Sequence, residues 1–69
     1  MIVFDRLWDY LETHEITVYR LREDAELNHK TIGRLRANEN VETKILDRIC
    51  KALHCSLEDI AEYIKEDDA

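Results

Sequence analysis

At 69 residues the chain has room for one domain, and a chain this short buries too little surface to enclose an enzyme's cleft easily. It holds no proline, one glycine and 38% charged residues, a balance that suits several short helices and disfavours sheets built on tight glycine turns. A formal net charge of −6, taken as a whole, argues against a phosphate-bearing partner, because phosphate neutralisation supplies much of the affinity in such complexes.

No run approaches the roughly 18 consecutive apolar residues of a membrane span, and the amino terminus lacks the basic-then-apolar layout of a signal peptide. The expectation is a cytoplasmic all-α protein with no membrane contact. In that compartment Cys50 and Cys55 are reduced thiols, and one pair with four intervening residues is not a zinc-ligand pattern. Neither a disulfide, a metal nor a cofactor is expected.

Phe4, Leu7, Trp8 and Leu11 follow the stripe of an amphipathic helix over about residues 5–14, with Asp5 placed to cap it. Val18, Leu21 and Ala25 form a second stripe behind Thr17, a good cap, and the pattern breaks at Glu26-Leu27-Asn28. Asn28 then caps a third helix that turns Ile32 and Leu35 inward. Ile45, Leu46, Ile49, Cys50 and Leu53 define a fourth helix, and Leu57, Ile60, Ala61 and Ile64 a fifth.

Four of these starts carry a second signal, an apolar residue before the cap spaced to pack on the fourth helical residue: Ile16/Leu21, Leu27/Ile32, Val41/Leu46 and Cys55/Ile60. Ser56 with Asp59 three residues on comes close to a capping box. The domain is expected to span residues 1–65, with 66–69 a fraying acidic tail.

Charge is unevenly spread along this order. Residues 1–27 carry three basic and seven acidic groups, residues 28–51 six and three, and residues 52–69 one and six. The middle of the chain is a basic island.

Thr17 and Asn28 lie eleven residues apart, which leaves two short helices joined by a turn of about three residues, the spacing of a helix-turn-helix. Here the chain resembles the Cro- and lambda-repressor-like, or xenobiotic-response-element, family of bacterial and phage regulators. The likeness runs from about Leu7 to Tyr63. It is carried by Leu7-Trp8, by Thr17-Val18-Tyr19-Arg20-Leu21, by Asn28 through Arg36, by Asn40-Val41, by Ile49-Cys50-Lys51-Ala52-Leu53 and by Leu57-Glu58-Asp59-Ile60.

That resemblance implies a five-helix domain that binds double-stranded DNA as a sequence-specific transcriptional regulator, its third helix, about residues 29–37, in the major groove. The positions matching the family's base readers are His29, Lys30 and Arg34, and those matching its phosphate-contacting rim are Thr17, Tyr19, Arg36, Asn38, Asn40 and Lys44. Arg34 suits a bidentate contact to guanine, Lys30 reaches guanine or phosphate, and His29 donates or accepts. Backbone amides at helix starts add donors that need no basic side chain.

Three residues depart from the family pattern. Glu26 stands where the turn usually has a left-handed glycine, at a cost on the order of 1 kcal/mol. Arg22 replaces a small residue and must lay its stem along the helix interface with its head in water. Gly33 sits inside the third helix, where it costs roughly 1 kcal/mol relative to alanine.

Other polar and aromatic residues have plain structural readings. His14 and His54 read as helix-end residues, Cys50 as a small core residue, and Phe4 and Trp8 as core. No nucleophile elbow, phosphate loop or paired-acid cleft is recognisable, so no enzymatic activity is expected.

A homodimer is expected, since one helix reads only a few base pairs. Ile2-Val3-Phe4 and Tyr63-Ile64 are candidates for its surface, or else pair with each other within one chain. No small-molecule ligand is expected. The alternative is a protein-binding adaptor of antirepressor or antitoxin-like kind, whose acidic flanks meet a basic regulatory partner.

Overall fold

The computed structural model describes residues 1–65, and the expected fraying tail at 66–69 lies outside the described residues. A short strand β1 (Ile2–Val3) leads into four helices: α1 (Asp5–Thr13), α2 (Val18–Asp24), α3 (His29–Arg36) and α4 (Thr43–Leu53). A single 3-10 turn (Leu57–Asp59) follows, and the chain returns as β2 (Glu62–Tyr63). No helix among the described residues is long and apolar enough to cross a membrane.

Each helix contributes one fully buried side chain to a common centre, Leu7, Leu21, Leu35 and Ile49, and Ile60 joins them from just beyond the 3-10 turn. Burying each contributes roughly 1.5–3 kcal/mol. Half-buried Ile16, Val18, Val41, Leu46 and Cys55 pack around that centre, as the apolar spacing across the helix starts requires. Cys50 and Cys55 are free thiols. Burial, with Cys50 and Asp59 close by, pushes the Cys55 thiol up to about 11, so it stays protonated at neutral pH.

The expected fifth helix is not formed: the all-α helix-turn-helix fold stands with four helices, and a ribbon of two two-residue strands joins the ends of the described chain. Of the residues spaced for that helix, only Ile60 enters the core, while Leu57 and Ile64 stay exposed. Asp59 accepts from the Ser56 backbone N–H at 2.9 Å and fixes the turn, after which the chain extends. β2 pairs antiparallel with β1, Ile2 opposite Tyr63 and Val3 opposite Glu62. The ladder continues through Ile64 N–H to the Met1 carbonyl at 2.8 Å and the Met1 amino group to the Ile64 carbonyl at 2.6 Å. Strands so far apart in sequence need no tight glycine turn. The intrachain pairing of the two apolar termini is thus the arrangement adopted.

The start of α1 also differs from expectation. Phe4, not Asp5, is the capping residue, and no side chain within the segment accepts from the helix's first amides. Phe4 is buried and enters from the ribbon, so tertiary packing sets the boundary, and Asp5 falls in the first turn where the helix dipole still favours it. Arg6 ties α1 to the other end of the chain, donating to the Glu58 carbonyl at 2.9 Å and pairing with Glu62 at 3.3 Å. The Tyr10 hydroxyl donates to the Leu53 carbonyl at the end of α4, and His14 stacks on the Tyr10 ring at 4.0 Å.

Every helix is followed by a residue in the left-handed region, and none of the four is glycine: Glu15, Glu26, Asn38 and His54, at φ of 55, 55, 56 and 55°. The residue after each closes the turn onto a carbonyl five positions back: Ile16 to Leu11, Leu27 to Arg22 and Glu39 to Arg34 at 2.8 Å, and Cys55 to Cys50 at 3.0 Å. Glu26→Gly should therefore raise stability by up to about 1 kcal/mol, by relieving the left-handed strain and removing a carboxylate from a helix's negative end. Urea denaturation measures it; an unchanged midpoint would mean that the turn carries no strain.

Candidate nucleic-acid interface

α2 and α3 are set by their caps. Thr17 Oγ1 accepts from the Arg20 backbone N–H at 3.0 Å, and Asn28 Oδ1 from the Thr31 N–H at 2.8 Å. Between them Ala25 and Leu27 are buried while Glu26 points out, so the turn anchors both helices on the core as it reverses the chain.

The inner face of α3 buries Ile32 and Leu35 as expected, and also Thr31. Thr31 is the buried polar residue that sequence reasoning missed; it lies four residues before Leu35 on the same face, a signal that its hydroxyl masks. The outer face exposes His29, Lys30, Gly33 and Arg34 in one row. At Gly33 a Cβ atom would meet nothing within 4 Å, so the surface there is open.

The expected rim residues surround this row with different degrees of freedom. Thr17, Tyr19, Asn40 and Lys44 are exposed, Tyr19 at the start of α2 and Lys44 at the start of α4. Arg36 is exposed and carries its guanidinium 4.7 Å over the Trp8 ring, so Trp8 is a half-buried platform as well as a core residue. Arg22 resolves its place in the interface by lying half-buried with its guanidinium 5.2 Å over the Tyr19 ring.

Asn38 is the exception. It is half-buried just past α3, and its Oδ1 accepts from the Phe4 N–H at 2.8 Å. One residue thus supplies, through its backbone, the left-handed turn that ends α3 and, through its side chain, the acceptor for the N–H of the residue that begins α1.

The electrostatics of the face differ from those of the chain. The ion pairs found among the described residues are Arg6–Glu62 and the exposed Arg20–Asp24 pair at 3.5 Å. Lys30, Arg34, Arg36 and Lys44 make none with another described residue. Three of these four exposed cationic side chains lie on α3 and the fourth at the start of α4, within the basic middle of an otherwise acidic chain.

Two short helices that share one core, a capped three-residue turn between them and a polar row on the second define a helix-turn-helix domain. The model of the Cro/C1-type helix-turn-helix DNA-binding domain matches residues 6–66, and the chain belongs to that family. Among solved structures it is similar to a crystal structure of the transcriptional regulator VanUg, with 32% identity and a TM-score of 0.87 over 94% of this chain and 87% of that one. No curated protein sequence matches.

Asn38→Ala should lower stability by about 1–3 kcal/mol, because it strands the Phe4 N–H and puts a Cβ-bearing residue with no local hydrogen bond at positive φ. Asn38→Asp, which keeps an acceptor, should retain most of it. Equal losses in the two variants by denaturation would show that the hydrogen bond does not matter.

Proposed function

We propose that the protein is a sequence-specific regulator of transcription that binds double-stranded DNA with α3 in the major groove. The observation that carries this reading is the exposed row His29, Lys30, Gly33 and Arg34, backed by a rigid inner face and free of ion pairs within the described chain. Arg34 reads guanine N7 and O6 through its fork of donors, Lys30 takes a neighbouring guanine or phosphate, and His29 contacts a base edge at the helix start. Gly33 lets the helix backbone come close.

Thr17, Tyr19, Arg36, Asn38, Asn40 and Lys44 hold the phosphates on either side and fix the register without reading sequence. The cations are concentrated where the phosphates run, so the net charge of −6 lowers the affinity without preventing binding. Two copies acting on half-sites about one helical turn apart give the specificity that one helix lacks. No cofactor or small ligand takes part in these contacts.

Selection from random duplexes tests the reading. The wild type should enrich one motif with two-fold symmetry, and affinity should fall steeply with salt. Arg34→Ala should lower specific affinity by roughly 1–3 kcal/mol and relax one base pair per half-site, with the melting temperature little changed. An unchanged motif would remove Arg34 from base reading, and a wild type that enriches nothing at low salt would leave the protein-binding adaptor as the better reading.

Gly33→Ala separates folding from binding. It should stabilise the free protein by up to about 1 kcal/mol, since the new methyl meets no atom of the chain. Its affinity for the selected site should nevertheless fall. A variant that melts higher and binds as well as wild type would show that this face does not lie against DNA.

A further inference from the structure

Each of the four helices ends in the same closure, in which the residue after a left-handed one donates its N–H to a carbonyl five positions back. Such closures commonly bring the side chains of the two bonded residues together. At the first three ends the pairs are Leu11 with Ile16, Arg22 with Leu27, and Arg34 with Glu39, whereas at the end of α4 both residues are cysteines, Cys50 and Cys55. The Cys55 N–H donates to the Cys50 carbonyl at 3.0 Å across left-handed His54. Bond lengths then keep the two Cα atoms within about 7 Å of each other, and disulfides span roughly 4.4–6.8 Å. The Cys55 thiol itself lies within hydrogen-bonding reach of the Cys50 sulfur.

We infer that Cys50 and Cys55 are a redox-active pair, reduced at rest, that closes into a disulfide across the end of α4 when the chain meets a low-molecular-weight disulfide of the oxidised-glutathione class. Cys50 is half-buried and lines an open groove of about 540 Å³ along α4 with Leu46, Asp47 and Leu57, which gives a small disulfide access to it. Its thiolate attacks one sulfur of the oxidant, breaks that S–S bond and releases one small thiol. The Cys55 thiolate then attacks the Cys50 sulfur of the mixed disulfide and releases the second. The pair gives up two electrons and two protons, and the oxidant takes both. Burial, and then the charges of Cys50 and Asp59 and a hydrogen bond to Cys50, hold Cys55 protonated in the reduced chain. Capping Cys50 removes its charge and its hydrogen bond, which favours the second attack.

The pair sits at the opposite end of α4 from Lys44 and shares no residue with the polar row of α3, so the inference does not depend on what α3 binds. Incubating the reduced full chain with oxidised glutathione at about pH 8.5, where thiolate is more abundant, tests it by intact mass. The expected product is a monomer lighter by two hydrogen atoms, without free thiols, and restored by dithiothreitol. Cys50→Ser and Cys55→Ser should each stop at the mixed disulfide with glutathione. Because the folded turn holds the two sulfurs together, the equilibrium constant for closure should be at least about tenfold larger in native buffer than in denaturing urea. The oxidised chain should accordingly unfold at a higher urea concentration than the reduced one.

Wild-type chain that stops at glutathione adducts, or that forms disulfides only between chains, overturns the inference. A closure constant no larger in buffer than in urea also overturns it, since the two cysteines would then meet only as neighbours in sequence. Circular dichroism of the oxidised chain should match that of the reduced one. A loss of helix on closure would show that the turn has to break for the bond to form, and the inference falls with it.

Discussion

A chain with a single glycine has to end four helices in left-handed residues that carry side chains, and the way it does so organises the whole domain. Three connections use the same three positions: a left-handed residue, an apolar residue and a cap, in Glu15-Ile16-Thr17, Glu26-Leu27-Asn28 and His54-Cys55-Ser56. The apolar residue closes the helix behind it through its backbone N–H and packs its side chain into the core at the start of the next element. One residue therefore fixes both the end of one helix and the direction of its successor. The strain of each left-handed residue is offset by burial at the position beside it.

This economy explains what the sequence made legible. Thr17 and Asn28 declared their helices because cap and staple are local, and the local geometry is what forms. The outward and inward faces of α3 followed from its period, with His29, Lys30 and Arg34 on one side and Ile32 and Leu35 on the other. What stayed hidden depends on distant partners. Asp5 reads as a cap, yet Phe4 takes that place, its N–H held by Asn38, 34 residues away. Leu57, Ile60, Ala61 and Ile64 have helical spacing, yet β1 offers a ladder that a fifth helix would forgo. Leu57 and Ile64 look inward by period and stand outside in the fold.

The charge of the protein is likewise a matter of placement. Acidic groups crowd the first and last thirds of the chain, and the fold keeps Lys30, Arg34, Arg36 and Lys44 clear of ion pairs among the described residues. Surface pairs of the Arg6–Glu62 kind contribute little to stability, so leaving cations unpaired on α3 costs the fold almost nothing. It leaves them available to an outside anion.

Arg36 over Trp8 has a consequence of a different kind, because Trp8 is the only tryptophan in the chain. An indole under a guanidinium emits according to where that cation sits. An arginine drawn from the ring toward a phosphate takes its charge with it, and the light from Trp8 changes while the fold does not. Emission from Trp8 thus gauges the position of the Arg36 guanidinium, with two native side chains and no dye.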